Sequence, residues 1–296
     1  MTTRIESGRD HRDIVLVVDD EPITRAGVAV AIGATGRAVV TCADIESAQL
    51  VVERMPVRSV VTDMRLSGPF SDDGLHFIDY VTQHAPQSRV VLMTGSASPE
   101  LRAEAKQRGA IAVLEKPFTS AQIDAVLRGD DLVSSALPDI IDVPAIEDVL
   151  SGSSLYSVFQ PIVDMRAEGS TIGYEALSRL DTAGPMRAPE FLFEYSARKR
   201  RMIDLELRCA ENSIRQAALL PDSSSIFINV HPMVLADVRL TAGLTASAQR
   251  NGIDTSRIVI EITEQAAMSD VAATLTNIDA LRALGCRFAF DDVGIA

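Results

Sequence analysis

In the second half of this chain, four short apolar runs each end on an oxygen-bearing side chain. Ile172-Gly173-Tyr174 precedes Glu175, and Ile226-Phe227-Ile228 precedes Asn229. Ile258-Val259-Ile260 precedes Glu261, and Phe288-Ala289-Phe290 precedes Asp291-Asp292. The last three recur at about 30 residues, close to the length of one strand-helix-strand unit. Buried parallel strands read as continuous apolar runs, and α/β barrels carry their chemistry at the carboxyl ends of those strands. The pattern predicts a rim of oxygen ligands, a donor set that suits Mg²⁺ or Mn²⁺ rather than zinc. A single polar residue at a strand end marks only emergence into solvent; four in register, all oxygen donors, favour a site.

The first half shows the same device at other spacing. Ile14–Val18 runs into Asp19-Asp20-Glu21, Ser59-Val60-Val61-Thr62 into Asp63, Arg89 to Met93 into Thr94, and Ile111 to Leu114 into Glu115-Lys116-Pro117. Three carboxylates, Asp19, Asp20 and Asp63, converging on one point would repel. Each like-charge pair costs about 4 kcal/mol at about 4 Å and an effective dielectric near 20. A divalent cation, Mg²⁺, resolves that repulsion. A carboxylate nucleophile, a metal, a lysine and a hydroxyl together describe phosphorylation of an aspartate.

The elements that must position these groups alternate. Strand-like runs are separated by amphipathic stretches such as Ile45 to Val52, which predicts a doubly wound, flavodoxin-like α/β domain over 13–128 with its site at the carboxyl edge of the sheet. The segment 129–154 is rich in Asp, Ser and Pro and is read as a linker with a short helix from Ala145 to Leu150. The second domain, 155–296, shows five strand candidates, at 158–163, 172–175, 226–229, 258–261 and 287–291. A TIM-type barrel needs eight, so five would leave one incomplete. The chain is read as a fragment of a longer protein, with a natural remnant as the other reading.

Composition narrows the function. The 296 residues are 47% hydrophobic with a net charge of −13, and no basic stripe offsets that charge apart from Arg198-Lys199-Arg200-Arg201. DNA binding is therefore not expected. No apolar run approaches a membrane span of about 20 residues, and the N-terminus fits no export signal, so a cytoplasmic location is expected. Cys42, Cys209 and Cys286 are far apart and read as buried free thiols. The four histidines show no paired ligand spacing.

Two resemblances sharpen this reading. The first domain resembles the receiver domain of two-component response regulators in Asp19-Asp20-Glu21, Asp63, Thr94 and Lys116-Pro117-Phe118. The resemblance implies that Asp63 is the phosphoacceptor, that Asp19, Asp20, Asp63 and the backbone carbonyl of Arg65 hold Mg²⁺, and that Thr94 and Lys116 engage the phosphoryl group. It further implies a cis Lys116-Pro117 bond and a sensor histidine kinase as partner. Val113 stands where the family often has an aromatic, and the loop 64–74 is longer than common. The second domain resembles the EAL family of cyclic di-GMP phosphodiesterases, in Gln160-Pro161, Glu175-Ala176-Leu177-Ser178-Arg179, Asn229-Val230-His231-Pro232, Glu261-Ile262-Thr263-Glu264 and Phe290-Asp291-Asp292.

That second resemblance implies a TIM-like barrel, incomplete over these residues, whose first strand is antiparallel to the others, and Mg²⁺ or Mn²⁺ on Glu175, Asn229, Glu261, Asp291 and Asp292. It places cyclic di-GMP near Gln160, Leu177 and Arg179, and makes Glu264 a brace for the loop after Asp292. A homodimer is expected. Val293, Ile295 and Ala296 stand where the family has Phe, Thr and Gly. The family's catalytic lysine and a further glutamate would lie past Ala296, so these 296 residues are expected not to hydrolyse cyclic di-GMP. A non-catalytic cyclic di-GMP receptor or scaffold is the other function kept open.

Overall fold

The computed structural model describes residues 14–68, 71–128, 140–165, 169–263 and 270–291. The chain divides into two units: one comprises Met1–Ala145 with Ala183–Pro185, the other Ile146–Thr182 with Met186–Ala296.

In the first unit strands and helices alternate: β1 (Ile14–Val18), α1 (Pro22–Gly33), β2 (Ala38–Cys42), α2 (Ile45–Arg54), β3 (Val57–Asp63), α3 (Asp73–His84), β4 (Arg89–Thr94), α4 (Pro99–Arg108), β5 (Ala110–Glu115) and α5 (Ser120–Leu127). A sixth strand, β6 (Ile140–Val143), completes a parallel sheet of order β5-β4-β3-β1-β2-β6. The central strands are β-branched and buried: Val15, Leu16, Val17 and Val18 of β1 have no exposed surface, as expected for a sheet covered on both faces. Helix starts follow the local chemistry. Asp44 caps α2 through Ser47 N–H, and Thr119 with Gln122 forms a capping box on α5. The sheet agrees with the doubly wound expectation.

β6 departs from the linker reading of 129–154. Ile140-Ile141-Asp142-Val143 is short and flanked by Pro138 and Pro144, so its composition resembles a joint. Its apolar, β-branched residues nonetheless supply the ladder that β2 leaves open on its outer side. The remaining linker residues before it, 129–139, lie outside the described residues. The short helix is present as α6 (Ile146–Ser151).

The second unit continues with β7 (Leu155–Asp164), β8 (Ser170–Leu180), α7 (Pro189–Arg198), α8 (Met202–Ala217), β9 (Ser225–Asn229), α9 (Pro232–Leu235), α10 (Val238–Asn251), β10 (Ile258–Thr263), α11 (Val271–Ala283) and β11 (Arg287–Asp291). Its described sheet has five strands in the order β11-β10-β9-β8-β7. β7 pairs antiparallel with β8, and every other pair is parallel. Ile226, Ile228, Ile258, Ile260 and Ile262 face a core built with Ala210 and Ile214 of α8 and Leu240 and Leu244 of α10. Alternation then puts Glu175, Asn229 and Glu261 on the opposite face.

One sequence expectation needs correction. Glu175 does not end its strand: β8 runs on to Leu180 because β7 pairs with it as far as Leu155↔Leu180, although β9 pairs with β8 only as far as Ala176. Glu261 likewise lies inside β10, which extends to Thr263. Asn229 and Asp291 are the last residues of their strands.

Candidate functional site

At the carboxyl edge of the first sheet, β1, β3 and β5 deliver Asp19, Asp63 and Lys116 to one place. Lys116 Nζ lies 2.8 Å from Asp19 Oδ2 and 2.6 Å from Asp63 Oδ1. Both carboxylates are buried, Asp19 to 1% exposure and Asp63 to 8%. Backbone donors complete their shells: Glu21 N–H donates to Asp19 Oδ1 at 2.9 Å and Arg65 N–H to Asp63 Oδ2 at 2.7 Å. Burial raises the Asp19 carboxyl above its ordinary range, with Lys116 and the Glu21 amide opposing the shift. Burial on its own would lower Lys116, but its hydrogen bonds to Asp19 and Asp63 outweigh that and hold the ammonium above its usual value.

The expected convergence of three carboxylates is realised for two. Asp20 is exposed, and among the described residues no group of three or more His, Cys, Asp or Glu side chains could hold a metal. The Lys116 ammonium stands between Asp19 and Asp63 and neutralises one of their charges. Thr94 is buried, yet its hydroxyl bonds locally, donating to Ser96 O at 3.1 Å. Lys116 N–H donates to Thr94 O at 2.7 Å, and the Lys116-Pro117 bond is cis. Asp19 and Asp63 keep one net negative charge with Lys116 between them, and their oxygen-donor chemistry is of the kind that suits a hard divalent cation.

Gly74 explains how the following loop packs. A Cβ placed there would stand 2.2 Å from the carbonyl oxygen of Asp63. Gly74 N–H also donates to Met64 O at 3.0 Å. The start of α3 therefore rests directly on the main chain of the candidate phosphoacceptor.

In the second unit, the Asn229 side-chain amide donates to Glu175 Oε1 at 2.8 Å. Glu261 is the register partner of Asn229, and Gln160 that of Glu175. Asp291 pairs in register with Thr263. Asp292 and Glu264 lie outside the described residues. The donors the sequence singles out on β8, β9 and β10 thus come to adjacent strands on one face, and their oxygens are of the kind a hard divalent cation takes.

Beside Glu175 and Asn229 lies a cavity of about 350 Å³ between β8, β9, α7 and α8, lined by Leu177, Arg179, Phe193, Glu206, Asn229 and His231 among others. Arg179 is oriented by its own Nη1, which donates to Ser178 O at 2.8 Å. Glu206 is a group the sequence reading missed. Its carboxylate accepts from His231 N–H at 2.8 Å, and burial pushes its pKa up to about 7 against that bond. The available signal was a carboxylate between Leu205 and Leu207 sharing a helix face with Cys209, Ala210 and Ser213 at helical spacing. Burial also lowers His231, whose Nδ1 accepts from Met233 N–H.

Residues 144–296 match the model of the EAL domain, and residues 15–128 that of the response regulator receiver domain. The chain belongs to the EAL-domain proteins and carries a response regulator receiver domain ahead of the EAL domain. Nearly its whole length is similar to cyclic di-GMP phosphodiesterase RocR of Pseudomonas aeruginosa, with 27% identity over 95% of this chain and 75% of that protein. Among solved structures, the receiver domain of NtrX from Brucella abortus is 32% identical over 39% of this chain and 96% of that one, with a TM-score of 0.37. The EAL domain of FimX from Xanthomonas citri, solved with c-diGMP, is 15% identical over 48% of this chain and 56% of that one, with a TM-score of 0.44. Among the described residues no helix is long and apolar enough to cross a membrane.

Proposed function

We propose that this protein is a response regulator that accepts a phosphoryl group on Asp63 and whose EAL domain acts on cyclic di-GMP by metal-dependent cleavage to the linear dinucleotide. The observation that carries the reading is the hydrogen bond from Asn229 to Glu175 beside Glu261 on the next strand, next to a cavity that Arg179 lines. Glu175, Asn229, Glu261, Asp291 and Asp292 would hold Mg²⁺ or Mn²⁺, which when bound activates water and draws charge off the scissile phosphodiester. Arg179 faces a substrate phosphate, Leu177 and Gln160 contact the dinucleotide, and Glu264 braces the loop after Asp292. In the receiver domain, Asp19, Asp20 and the Arg65 carbonyl join Asp63 around Mg²⁺. Lys116 moves its charge from the carboxylates to the incoming phosphoryl oxygens, and Thr94 turns its hydroxyl toward them. A sensor histidine kinase supplies the phosphoryl group, and the working assembly is a homodimer in the cytoplasm.

The testing experiment incubates the 296-residue chain with cyclic di-GMP and Mn²⁺, with and without acetyl phosphate, and measures both binding and the linear product. Metal-dependent binding that Glu175→Ala and Arg179→Ala weaken is expected. Product formation supports the hydrolase outright; binding without product is what these 296 residues should show on either the hydrolase or the receptor reading, the latter being the one toward which the altered residues Val293, Ile295 and Ala296 point. No binding under any condition overturns both.

A further inference from the structure

Arg25 connects the backbone of the acidic site to β6. Its Nη1 donates to the main-chain carbonyl of Asp19 at 2.7 Å, and its Nε lies 3.5 Å from Asp142 Oδ1 on β6. The same Asp142 oxygen accepts from the Thr41 hydroxyl, and Thr41 is the register partner of Asp142 on β2. The Arg25 side chain is 13% exposed and that of Asp142 62%. A mostly buried guanidinium therefore depends on a carboxylate at the edge of the sheet. β6 spans four residues and, among the described strands, pairs with β2 alone. Short edge elements of this kind open locally at a fraction of the global unfolding free energy.

We propose that Arg25 and Asp142 are a positioning pair for the acidic site around Asp19, such that docking of β6 and cation binding at that site favour one another. The inference rests on reading the first unit as a phosphoacceptor domain. With β6 docked, Asp142 balances the guanidinium and keeps it aimed at the Asp19 carbonyl. Without Asp142, Arg25 loses its balancing charge and its fixed aim at the Asp19 main-chain carbonyl, and an unbalanced cation at that backbone opposes the approach of a divalent ion to the site. Coupling between two binding events is reciprocal, so a cation on the carboxylates also holds β6 on the sheet.

The residue next to Asp142 extends the connection. A Cβ at Gly184 would stand 2.3 Å from Ile141 Cγ2, and Gly184 has φ +77, a backbone conformation that favours glycine. The 183–185 segment, part of the first unit, therefore rests on β6. It follows closely in the chain after β8, the strand of Glu175, Leu177 and Arg179.

The test uses the full chain, Mg²⁺ titration by calorimetry, and hydrogen exchange of the 140–143 backbone with and without Mg²⁺ and beryllofluoride. Asp142→Asn should weaken Mg²⁺ binding about fivefold or more and abolish Mg²⁺-induced protection of β6. Asp142→Glu should restore both in large part. Asp124→Asn, which removes a partner of Arg37 elsewhere on this unit, should change neither. Thermal midpoints without Mg²⁺ identify any variant that is merely misfolded, and Asp142→Glu then carries the comparison. Equal Mg²⁺ affinity in Asp142→Asn and wild type, or β6 protection indifferent to Mg²⁺ in the wild type, overturns the proposal. A wild type that binds no Mg²⁺ overturns the phosphoacceptor reading with it, which separates the two failures.

Discussion

The Asn229 amide reaches across from β9 to donate to the Glu175 carboxylate of β8 at 2.8 Å. An amide bonds a carboxylate without neutralising it, so the pair keeps its negative charge and a cation completes it more fully than a hydrogen bond does.

The first prediction follows from that charge. Mn²⁺ should raise the thermal midpoint of the EAL unit in the wild type, by about 2.7 kcal/mol of stabilisation at a hundredfold excess over the dissociation constant. Glu261→Gln should lose most of this shift. Calorimetric scans of both proteins with and without Mn²⁺ decide it; equal shifts in both, or none in either, would remove this rim as a metal site.

Phosphate uptake is a second check. Acetyl phosphate with Mg²⁺ should add one phosphoryl group to the wild type and none to Asp63→Asn, as read by intact mass. Equal uptake by the two proteins would move the acceptor away from Asp63.

Lys116 should matter for stability as well as for chemistry. Replacing it with Met leaves two buried carboxylates sharing no cation, at a cost of about 3 kcal/mol, since breaking a buried pair is expensive. Mg²⁺ should recover much of that loss in urea melts of Lys116→Met. A variant as stable as the wild type in the absence of Mg²⁺ would show that the ion pair contributes nothing.

Glu206 predicts a pH dependence. Its folded pKa, pushed up to about 7, lies above its ordinary value, so the folded state holds the proton more tightly than the unfolded one. Stability of the EAL unit should therefore fall as the pH rises from about 4.5 to about 7, by on the order of 2 kcal/mol. Glu206→Gln should flatten that slope. Denaturant midpoints measured at pH 5 and pH 8 test it, and identical slopes in both proteins would place the titration elsewhere.

Gly74→Ala puts a methyl group against the Asp63 carbonyl, whose oxygen is backbone and cannot turn aside. Overpacking of this kind costs about 1–3 kcal/mol. Phosphate uptake should slow as well, because the displaced main chain belongs to the proposed acceptor. An unimpaired variant in both assays would mean that α3 shifts at no cost.

What was legible in the sequence follows from where each signal resides. Val15 to Val18 and Ile258 to Ile260 are continuous apolar runs because helices cover their sheets, and such runs show directly in the residue string. Asp19, Asp63 and Lys116 each end or follow such a run, so their meeting could be expected from alternation of strand and helix. β6 could not be seen the same way: four residues between two prolines resemble a joint until β2 is known to have an open side. The position of Glu175 inside its strand was hidden because β8 is lengthened by antiparallel pairing with β7 rather than by its own composition. Glu206 was hidden for a third reason. A carboxylate in a helix reads as surface, and only the packing of α8 against β8 and β9 turns it toward a cavity.

The antiparallel pairing of β7 with β8 also bears on the order in which the EAL unit assembles. These two strands are neighbours in the chain and pair from Leu155↔Leu180 to Asp164↔Ser170, so their contacts close a short loop. β9 joins β8, and β10 joins β9, through long crossovers, whose closure entropy must be met before their contacts form. Gln160, Glu175 and Arg179 therefore belong to an early-forming hairpin, and Asn229 and Glu261 reach it later. Substitutions in the hairpin should slow refolding, whereas those on β9 and β10 should mainly hasten unfolding.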